Sequence, residues 1–198
     1  MKKIIKKNLI VILGSIIMGI GVALAIKGGQ GADPLSVFWD GLSRTFNITL
    51  GNANLLVSLV MLIAAVILDY KQLNIGTILN PLFLSGTADL IINKISTPDT
   101  FILQLLQSLI GVTLMGIGVG LYASADLGKG VYDAIVFSLV DKTKFKIQYI
   151  RNAFDAIFLL VGFLLGGSVG LVTLIAVLLI GNVISVSNKL SNKYINFE

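Results

Sequence analysis

The five residues at positions 18–22, MGIGV, recur as MGIGV at positions 115–119, 97 residues further along the chain. Each copy lies in a long apolar run that leads into a glycine-rich stretch, and Gly31 matches Gly128 at the same spacing. A short apolar segment and two more long apolar runs then follow in each half. This order of elements predicts an internal duplication, with repeat 1 at about residues 8–95 and repeat 2 at about residues 101–190.

The composition around these copies is that of a membrane protein. Hydrophobic residues make up 56% of the 198 positions and charged residues 13%, against roughly 45–50% and 25% in a soluble domain. A disordered chain is excluded, and a water-soluble globule does not fit. Since a span needs about 20 residues, the chain holds some six spans with short loops. We predict one integral membrane domain over residues 1–198.

Six apolar runs are long enough to cross a bilayer. They are Leu9–Ile26, Leu50–Leu68, Ile75–Ile92, Phe101–Ala123, Ile147–Leu165 and Val169–Val186. Two shorter apolar segments, Pro34–Phe46 and Val131–Val140, each follow a glycine-rich stretch, and we interpret them as re-entrant or interfacial helices. The sequence thus predicts an all-α, polytopic bundle of about six transmembrane helices and two short ones.

Basic residues are unevenly distributed between the loops of this layout. One side holds 12 of the 15: Lys2, Lys3, Lys6, Lys7, Lys71, Lys129, Lys142, Lys144, Lys146, Arg151, Lys189 and Lys193. The other side holds Lys27, Arg44 and Lys94. Positive residues stay on the cytoplasmic side, so both termini are predicted to be cytoplasmic. Eight crossings would give the same totals, and only segment length favours six.

Missing residue types exclude several functions. The chain has no Cys and no His, so disulfides, thiolate nucleophiles and Ser-His-Asp catalysis are ruled out, and zinc chemistry is not expected. No nucleic-acid-binding motif is present. We expect no enzyme, no metal and no cofactor.

The repeat also bears on mechanism. With three spans in each copy, the second copy starts from the opposite side of the membrane. The halves are then inverted repeats, an architecture typical of secondary transporters, whose sites lie where broken helices meet near the bilayer midplane.

The motif at positions 18–22, with GADPLS at positions 31–36 and DLGKGVYD at positions 126–133, resembles the YczE/YitT-type bacterial membrane proteins. The YczE branch is the closer one, and the resemblance covers about residues 5–188. It implies a multi-pass protein of the bacterial plasma membrane, of a kind often regarded as a transporter.

Each copy departs from the family motif, which is roughly Gly-Leu-Gly, two residues, Pro, any residue and Asp. The first copy keeps Pro34 but has Ser36 in place of the Asp. The second copy has Val131 in place of the Pro but keeps Asp133. A role that requires both carboxylates is therefore not expected.

Charges within spans are the first candidates for function, because each costs roughly 2.5–3.5 kcal/mol on insertion scales. Asp155 lies near the middle of a predicted span, and Arg151 is four residues earlier on the same helical face. The pair forms a solute or proton site, or it is a neutralised pair that fixes the helix to its neighbours. Arg151 also has the length to reach the cytoplasmic edge.

Other polar residues in or near spans have the same two interpretations. Asp89 lies near a span end beside Lys94, and is either a site residue or a boundary charge. Asn80 and Asn182 either bind a solute or form hydrogen bonds between helices.

The glycine-rich bends offer a further candidate site. A helix that starts at Gly31 or Gly128 exposes unpaired N–H groups that bind an anion. Asp33 and Asp133 are either part of such a site or caps that accept from the same N–H groups.

These features favour a transporter that moves a small polar or anionic solute through a site between the repeats. Two alternatives stay open. One is a substrate-capture subunit of an energy-coupling-factor vitamin transporter, suggested by size and by small residues on the first helix. The other is a non-transporting accessory protein. The expected partners are the lipid bilayer, a small solute, and a homodimer mate or an energising subunit; nucleic acid is not expected.

Overall fold

The computed structural model describes residues 2–195, which form eight α-helices and one short 3-10 helix, Tyr70–Gln72. The helices are α1 (Lys2–Gly28), α2 (Pro34–Phe46), α3 (Leu50–Asp69), α4 (Ile75–Ile92), α5 (Phe101–Ser124), α6 (Val131–Thr143), α7 (Ile147–Leu164) and α8 (Leu171–Tyr194). The described residues contain no strand. The predicted domain also includes Met1 and residues 196–198, which lie outside this range.

The predicted all-α polytopic bundle is confirmed. Six helices are long and apolar enough to cross a membrane, and they coincide with the six predicted spans. The two short helices, α2 and α6, have 13 residues each. The predicted end of α6 at Val140 was too early, because the helix continues to Thr143 through polar residues that tolerate helical geometry.

Side chains just before the helices satisfy several of the first N–H groups. Asp33 accepts from the backbone of α2, and Pro34 occupies the first helical position, where its missing N–H has no cost. Thr49 and Thr100 cap α3 and α5 in the same way. Such caps matter in a bilayer, which offers no water to the unpaired groups.

The centre of the bundle is an antiparallel pair, α1 and α5, which approach through glycines. Gly14 lies beside Gly118, and Gly21 lies beside Gly111. A Cβ atom on Gly21 would lie 2.6 Å from the Gly111 carbonyl oxygen, so only glycine permits this spacing. The small residues of the first helix therefore serve packing within the chain.

The other long helices place the two bends at opposite ends of this pair. We define the first bend as residues 29–33 and the second as residues 125–130. The first bend contacts the start of α8, where the Val172 N–H donates to the Gln30 carbonyl oxygen at 3.0 Å. The second bend contacts the start of α4, where the Gly76 N–H donates to the Leu127 carbonyl oxygen at 2.9 Å.

Helix pairs match between the two halves of the chain. Helix α4 packs on α1 as α8 packs on α5, and α2 packs on α7 as α6 packs on α3. The internal repeat itself stays a prediction.

Candidate functional site

The two short helices meet at the middle of α7, where aromatic rings join them. The ring of Phe158 on α7 stacks on Phe38 of α2 with centroids 5.4 Å apart. The same ring contacts Tyr132 of α6 edge-on at 6.0 Å, and Phe154 lies 6.0 Å from Phe158 on the same face of α7. The beginnings of both short helices are therefore held against one segment of a spanning helix.

Charged and hydrogen-bonding side chains surround these rings. Arg151 Nη2 lies 3.3 Å from Asp133 Oδ1. The Tyr132 hydroxyl donates to Asp155 Oδ1 at 2.7 Å and lies 3.3 Å from the Arg151 carbonyl oxygen. We call this group, Tyr132, Asp133, Arg151 and Asp155 with Phe158, the α7 junction. It joins two helices by an ion pair and a hydrogen bond.

The ion pair of Arg151 is with Asp133 and not with Asp155, the partner that the spacing along α7 suggested. The Arg151 and Asp155 side chains do lie on one face of α7, as their spacing requires, but Arg151 pairs with Asp133 on α6. Asp155 instead accepts from Tyr132. Tyr132 and Asp133 are neighbours in the chain, so α6 presents a hydrogen-bond donor and a carboxylate side by side. The Tyr132 hydroxyl donates to Asp155 of α7, and the Asp133 carboxylate pairs with Arg151 of α7.

Asp133 lies in a half-buried position on α6, outside the six candidate spans. Burial raises the pKa of the Asp133 carboxyl above its usual range, and the positive charges of Arg151 and Lys129 act against that increase. Asp133 is not a cap, contrary to one of its two interpretations. The cap position of α6 is Gly130, which supplies no side-chain acceptor.

Asp33 takes the capping role at α2. Its Oδ2 accepts from the Ser36 N–H at 3.4 Å, while its Oδ1 is buried without a hydrogen-bond partner among the described residues. Burial raises the pKa of the Asp33 carboxyl, interactions with Ser36 lower it, and the charge of nearby Asp155 adds to the increase. The start of α2 thus brings a third carboxylate towards the α7 junction.

A cavity of about 530 Å³ opens beside the second bend. It lies between the halves of the chain, since residues 71–74 line one wall and residues of the second bend and α6 line the other. Its polar lining includes Lys71, Asn74, Tyr122, Asp126, Lys129 and Asp133. We call it the Lys71 cavity. Asp133 belongs both to this cavity and to the α7 junction, so one partner of the ion pair lines the cavity.

Gly31 and Gly128 serve the geometry of the bends. Their φ angles of +90° and +95° are favoured by glycine alone. A Cβ atom on Gly31 would collide with the Thr173 hydroxyl, and one on Gly128 would lie 2.7 Å from the Thr77 hydroxyl. Gly128 also lines the Lys71 cavity. Their part in solute binding stays a prediction.

The remaining predicted site residues lie elsewhere. Asp89 accepts from the Thr49 hydroxyl at 2.6 Å and from the Gly51 N–H at 2.7 Å, which fixes the start of α3. The Asn80 side chain donates to the Ser15 hydroxyl at 3.0 Å and joins α4 to α1. Asn182 is exposed on α8. The structure therefore brings together Asp33, Asp133, Arg151 and Asp155, and leaves these three apart.

Sequence reasoning missed several members of the site. Tyr132 carries no charge and was overlooked, although it stands next to Asp133, directly after the second bend. Phe154 and Phe158 are spaced by four on either side of Asp155, and this aromatic stripe was an available signal. Lys71 was assigned to a loop, and its place in the cavity depends on a contact between distant segments.

Known proteins resemble this chain along nearly its whole length. A family model described as DUF6198, a family of unknown function, matches residues 5–189. An uncharacterized protein of Haemophilus influenzae is 30% identical over 172 residues, 85% of this chain and 77% of that protein. The uncharacterized membrane protein YczE of Bacillus subtilis is 27% identical over 185 residues, 93% of this chain and 86% of YczE. The uncharacterized protein YyaS of the same organism is 27% identical over 179 residues, which are 88% of each chain.

No solved structure matches this chain. The resemblance to YczE-type membrane proteins is confirmed.

Proposed function

The chain belongs to the family described as DUF6198, and from its own residues we propose that it is a transporter that moves a small polar or anionic solute across the membrane. The observation that carries this proposal is the α7 junction. A partly exposed ion pair and a tyrosine–carboxylate hydrogen bond join α6 to the spanning helix α7, and Asp133 of the pair lines a polar cavity. Apolar residues would pack there at lower cost, and charged groups within membrane helices mark solute or ion pathways.

The junction also supports the class of solute. The Arg151 guanidinium meets Asp133 through one nitrogen, Nη2. Because a guanidinium has five N–H donors, this ion pair leaves donors that a solute can use. Lys71 and Lys129 line the Lys71 cavity together with Asp133, the partner of Arg151, and the N-terminal end of α6 meets no side-chain acceptor. These positive groups favour a carboxylate or phosphate, while Asp133 and Asp126 suit an added ammonium group on the solute.

The arrangement of the halves supports a rocking movement. The central helices are antiparallel, and each bend contacts the start of the last helix in the other half. This arrangement is the one that an inverted repeat produces, and transporters with such repeats move one half against the other around a fixed site.

We place the protein in the plasma membrane with both termini in the cytoplasm, as the distribution of basic residues predicts. Helices α1 and α5 are antiparallel, and Gly14 of α1 contacts Tyr122 near the end of α5. The second bend, which follows α5, therefore lies at the end of the bundle where α1 begins. In that orientation the Lys71 cavity faces the cytoplasm. A docking face for an energising subunit loses its support, since Gly14, Gly19 and Gly21 pack against α4 and α5.

Transport in proteoliposomes tests the proposal. Purified protein is reconstituted, and uptake is measured for labelled amino acids, small dicarboxylates and inorganic phosphate. We expect protein-dependent uptake of one of these classes, and Arg151→Gln reduces it at least about tenfold, because a charge-assisted contact to the solute is lost.

The matched control is Lys142→Gln, which removes a positive charge from an exposed position on α6 away from the cavity. It is expected to transport at the rate of the unaltered chain. If folded Arg151→Gln protein also keeps that rate, the junction is not the solute site. If no class enters in a protein-dependent manner, the transporter proposal is wrong for these solutes.

A further inference from the structure

The two ends of the bundle differ in how tightly they are closed, although matching helices form them. At the first bend, α2 contacts the loop between α7 and α8 directly. At the second bend, the corresponding space between α6 and residues 71–74 is the Lys71 cavity. This difference bears on the side from which a solute reaches the α7 junction.

The closed end is held by a buried carboxylate. Asp40, which is 5% exposed, accepts from the Ser168 N–H at 2.7 Å and pairs with Arg44 at 3.0 Å. Arg44 also donates to the Ser168 hydroxyl at 2.7 Å. We call these three residues the Asp40 lock. Two of these bonds tie the second half of α2 to the α7–α8 loop, and the third joins Asp40 to Arg44 within α2; each of the three involves a charged group.

Close backbone packing reinforces the lock. A Cβ atom on Gly41 would lie 2.6 Å from the Gly162 carbonyl oxygen, and one on Gly162 would lie 2.7 Å from the Phe38 nitrogen. A Cβ atom on Gly167 would lie still closer to the Val37 carbonyl oxygen. Helices α2 and α7 therefore touch backbone to backbone, which leaves no path for solute between them.

The positions that match the lock at the other end lack these bonds. Phe137 stands 97 residues after Asp40, and Lys71 stands 97 residues before Ser168. Both line the cavity. Asp141, which matches Arg44, is exposed. Where one end has a carboxylate, a backbone donor and an arginine in contact, the other has an aromatic ring and a lysine on opposite sides of an open space.

We propose that the chain is closed at the first bend by the Asp40 lock and open at the second through the Lys71 cavity, so that solute reaches the α7 junction from the second-bend face and passes to the other face only when the lock breaks. This inference rests on the proposed function. It assigns Asp40, Arg44 and Ser168 as gate residues, which do not contact the solute.

Cysteine accessibility tests the proposal directly, since the natural chain has no Cys. Single-cysteine variants in membrane vesicles are treated with a membrane-impermeant maleimide from either face. Phe137→Cys, in the cavity, is expected to react from the second-bend face. Val37→Cys, fully buried beneath the lock, is expected to react from neither face.

Breaking the lock is expected to expose the buried position. Asp40→Ala added to Val37→Cys raises its reaction rate from the first-bend face about tenfold, because the loss of a bond to a charged group shifts an opening equilibrium by that factor or more. Asp141→Ala is the matched control and leaves the rate unchanged. Val136→Cys, fully buried in the core of α6, reports general unfolding and stays unreactive.

Three results would overturn the proposal: equal reaction of Val37→Cys and Phe137→Cys with the lock intact, no reaction of Phe137→Cys from either face, or an unchanged Val37→Cys rate after Asp40→Ala. If Asp40→Ala also makes Val136→Cys reactive, the chain has unfolded more generally, and Arg44→Gln replaces Asp40→Ala in the test. An unchanged Val37→Cys rate in the Arg44→Gln protein then overturns the proposal. All labelling is done without solute. If cysteine labelling gives the expected result but no transport is found, the proposed function is refuted, while the closed first-bend end and the open second-bend end are still supported.

Discussion

Helices α2 and α6 have the same length, follow matching glycine bends and end alike, with Asn47 and Lys144 in the left-handed region. Their surroundings differ. Asp33 caps α2, and the middle of α2 packs backbone to backbone against α7. Helix α6 has no side-chain cap, meets Arg151 by an ion pair and borders a cavity.

The same kind of short helix therefore has two different roles in this chain. Position 36 on α2 is a serine with no exposed surface, and the matching position on α6 is Asp133, which is half-buried and paired. The charged residues of α2, Asp40 and Arg44, bond to each other and to the α7–α8 loop. Asp133, a charged residue of α6, instead pairs with Arg151 on α7 and lines the cavity.

The largest effect is expected when α2 is given the carboxylate of α6. Ser36→Asp places an unpaired charge at a fully buried position beside Asp33. We expect it to lower the free energy of unfolding by about 3–5 kcal/mol, because a buried charge without a partner is left uncompensated. Thermal unfolding in detergent measures the change.

The reverse exchange is the control for that variant. Asp133→Ser removes the ion pair of Arg151, whose side chain is already 41% exposed, so the loss is expected to stay under about 1 kcal/mol. Equal losses for the two exchanges would mean that α2 and α6 do not differ as described.

A smaller effect is expected from the close contact of α2 with α7. Gly41→Ala adds a Cβ atom 2.6 Å from the Gly162 carbonyl oxygen and should cost about 1–3 kcal/mol through overpacking. Ser138→Ala at the matching position of α6 loses only a hydroxyl that bonds within its own helix at 2.7 Å, and should cost under about 1 kcal/mol. Melting temperatures of the two variants check this. A Gly41→Ala protein as stable as the unaltered chain would contradict the packing argument.

The sequence alone predicted the helices well, because the length of an apolar run and the need for a cap are local properties. Pro34–Phe46 was predicted to the residue, since Asp33 and Pro34 mark its start. Two glycines with positive φ were also visible as bends, at Gly31 and Gly128. Such features depend on neighbours in the chain and need no knowledge of the fold.

The partners of the charged residues were not predictable in this way. Spacing by four suggested Arg151 with Asp155, but the choice between Asp155 and Asp133 depends on where α6 docks. Asp40 was overlooked because its partner is a backbone N–H in a distant loop. Asp89 likewise caps a helix other than its own. Contacts across the fold decide these pairings, and no periodicity reveals them.

Removing one hydroxyl sharpens the comparison at the junction. Tyr132→Phe keeps the ring contacts with Phe154 and Phe158 but loses the bond to Asp155. We expect a loss of about 1 kcal/mol, as for one hydrogen bond, with reduced solute uptake. Tyr149→Phe, at an exposed position on α7, should change neither stability nor uptake. If Tyr132→Phe equals its control in both measurements, the hydroxyl has no role in holding α6.

The smallest effect is expected at the cap of α2 and depends on pH. Because the pKa of Asp33 is raised above its ordinary value of 3.8, the folded chain binds this proton more tightly than the unfolded chain. Asp33 therefore contributes stability that is present below pH 3.8 and is lost as the pH rises through its folded pKa. Asp33→Asn keeps a capping oxygen but cannot ionise. Its melting temperature should match that of the unaltered chain at low pH and exceed it at neutral pH. If the melting temperatures of the two proteins change with pH in the same way, burial does not destabilise the ionised Asp33 carboxylate in the folded chain.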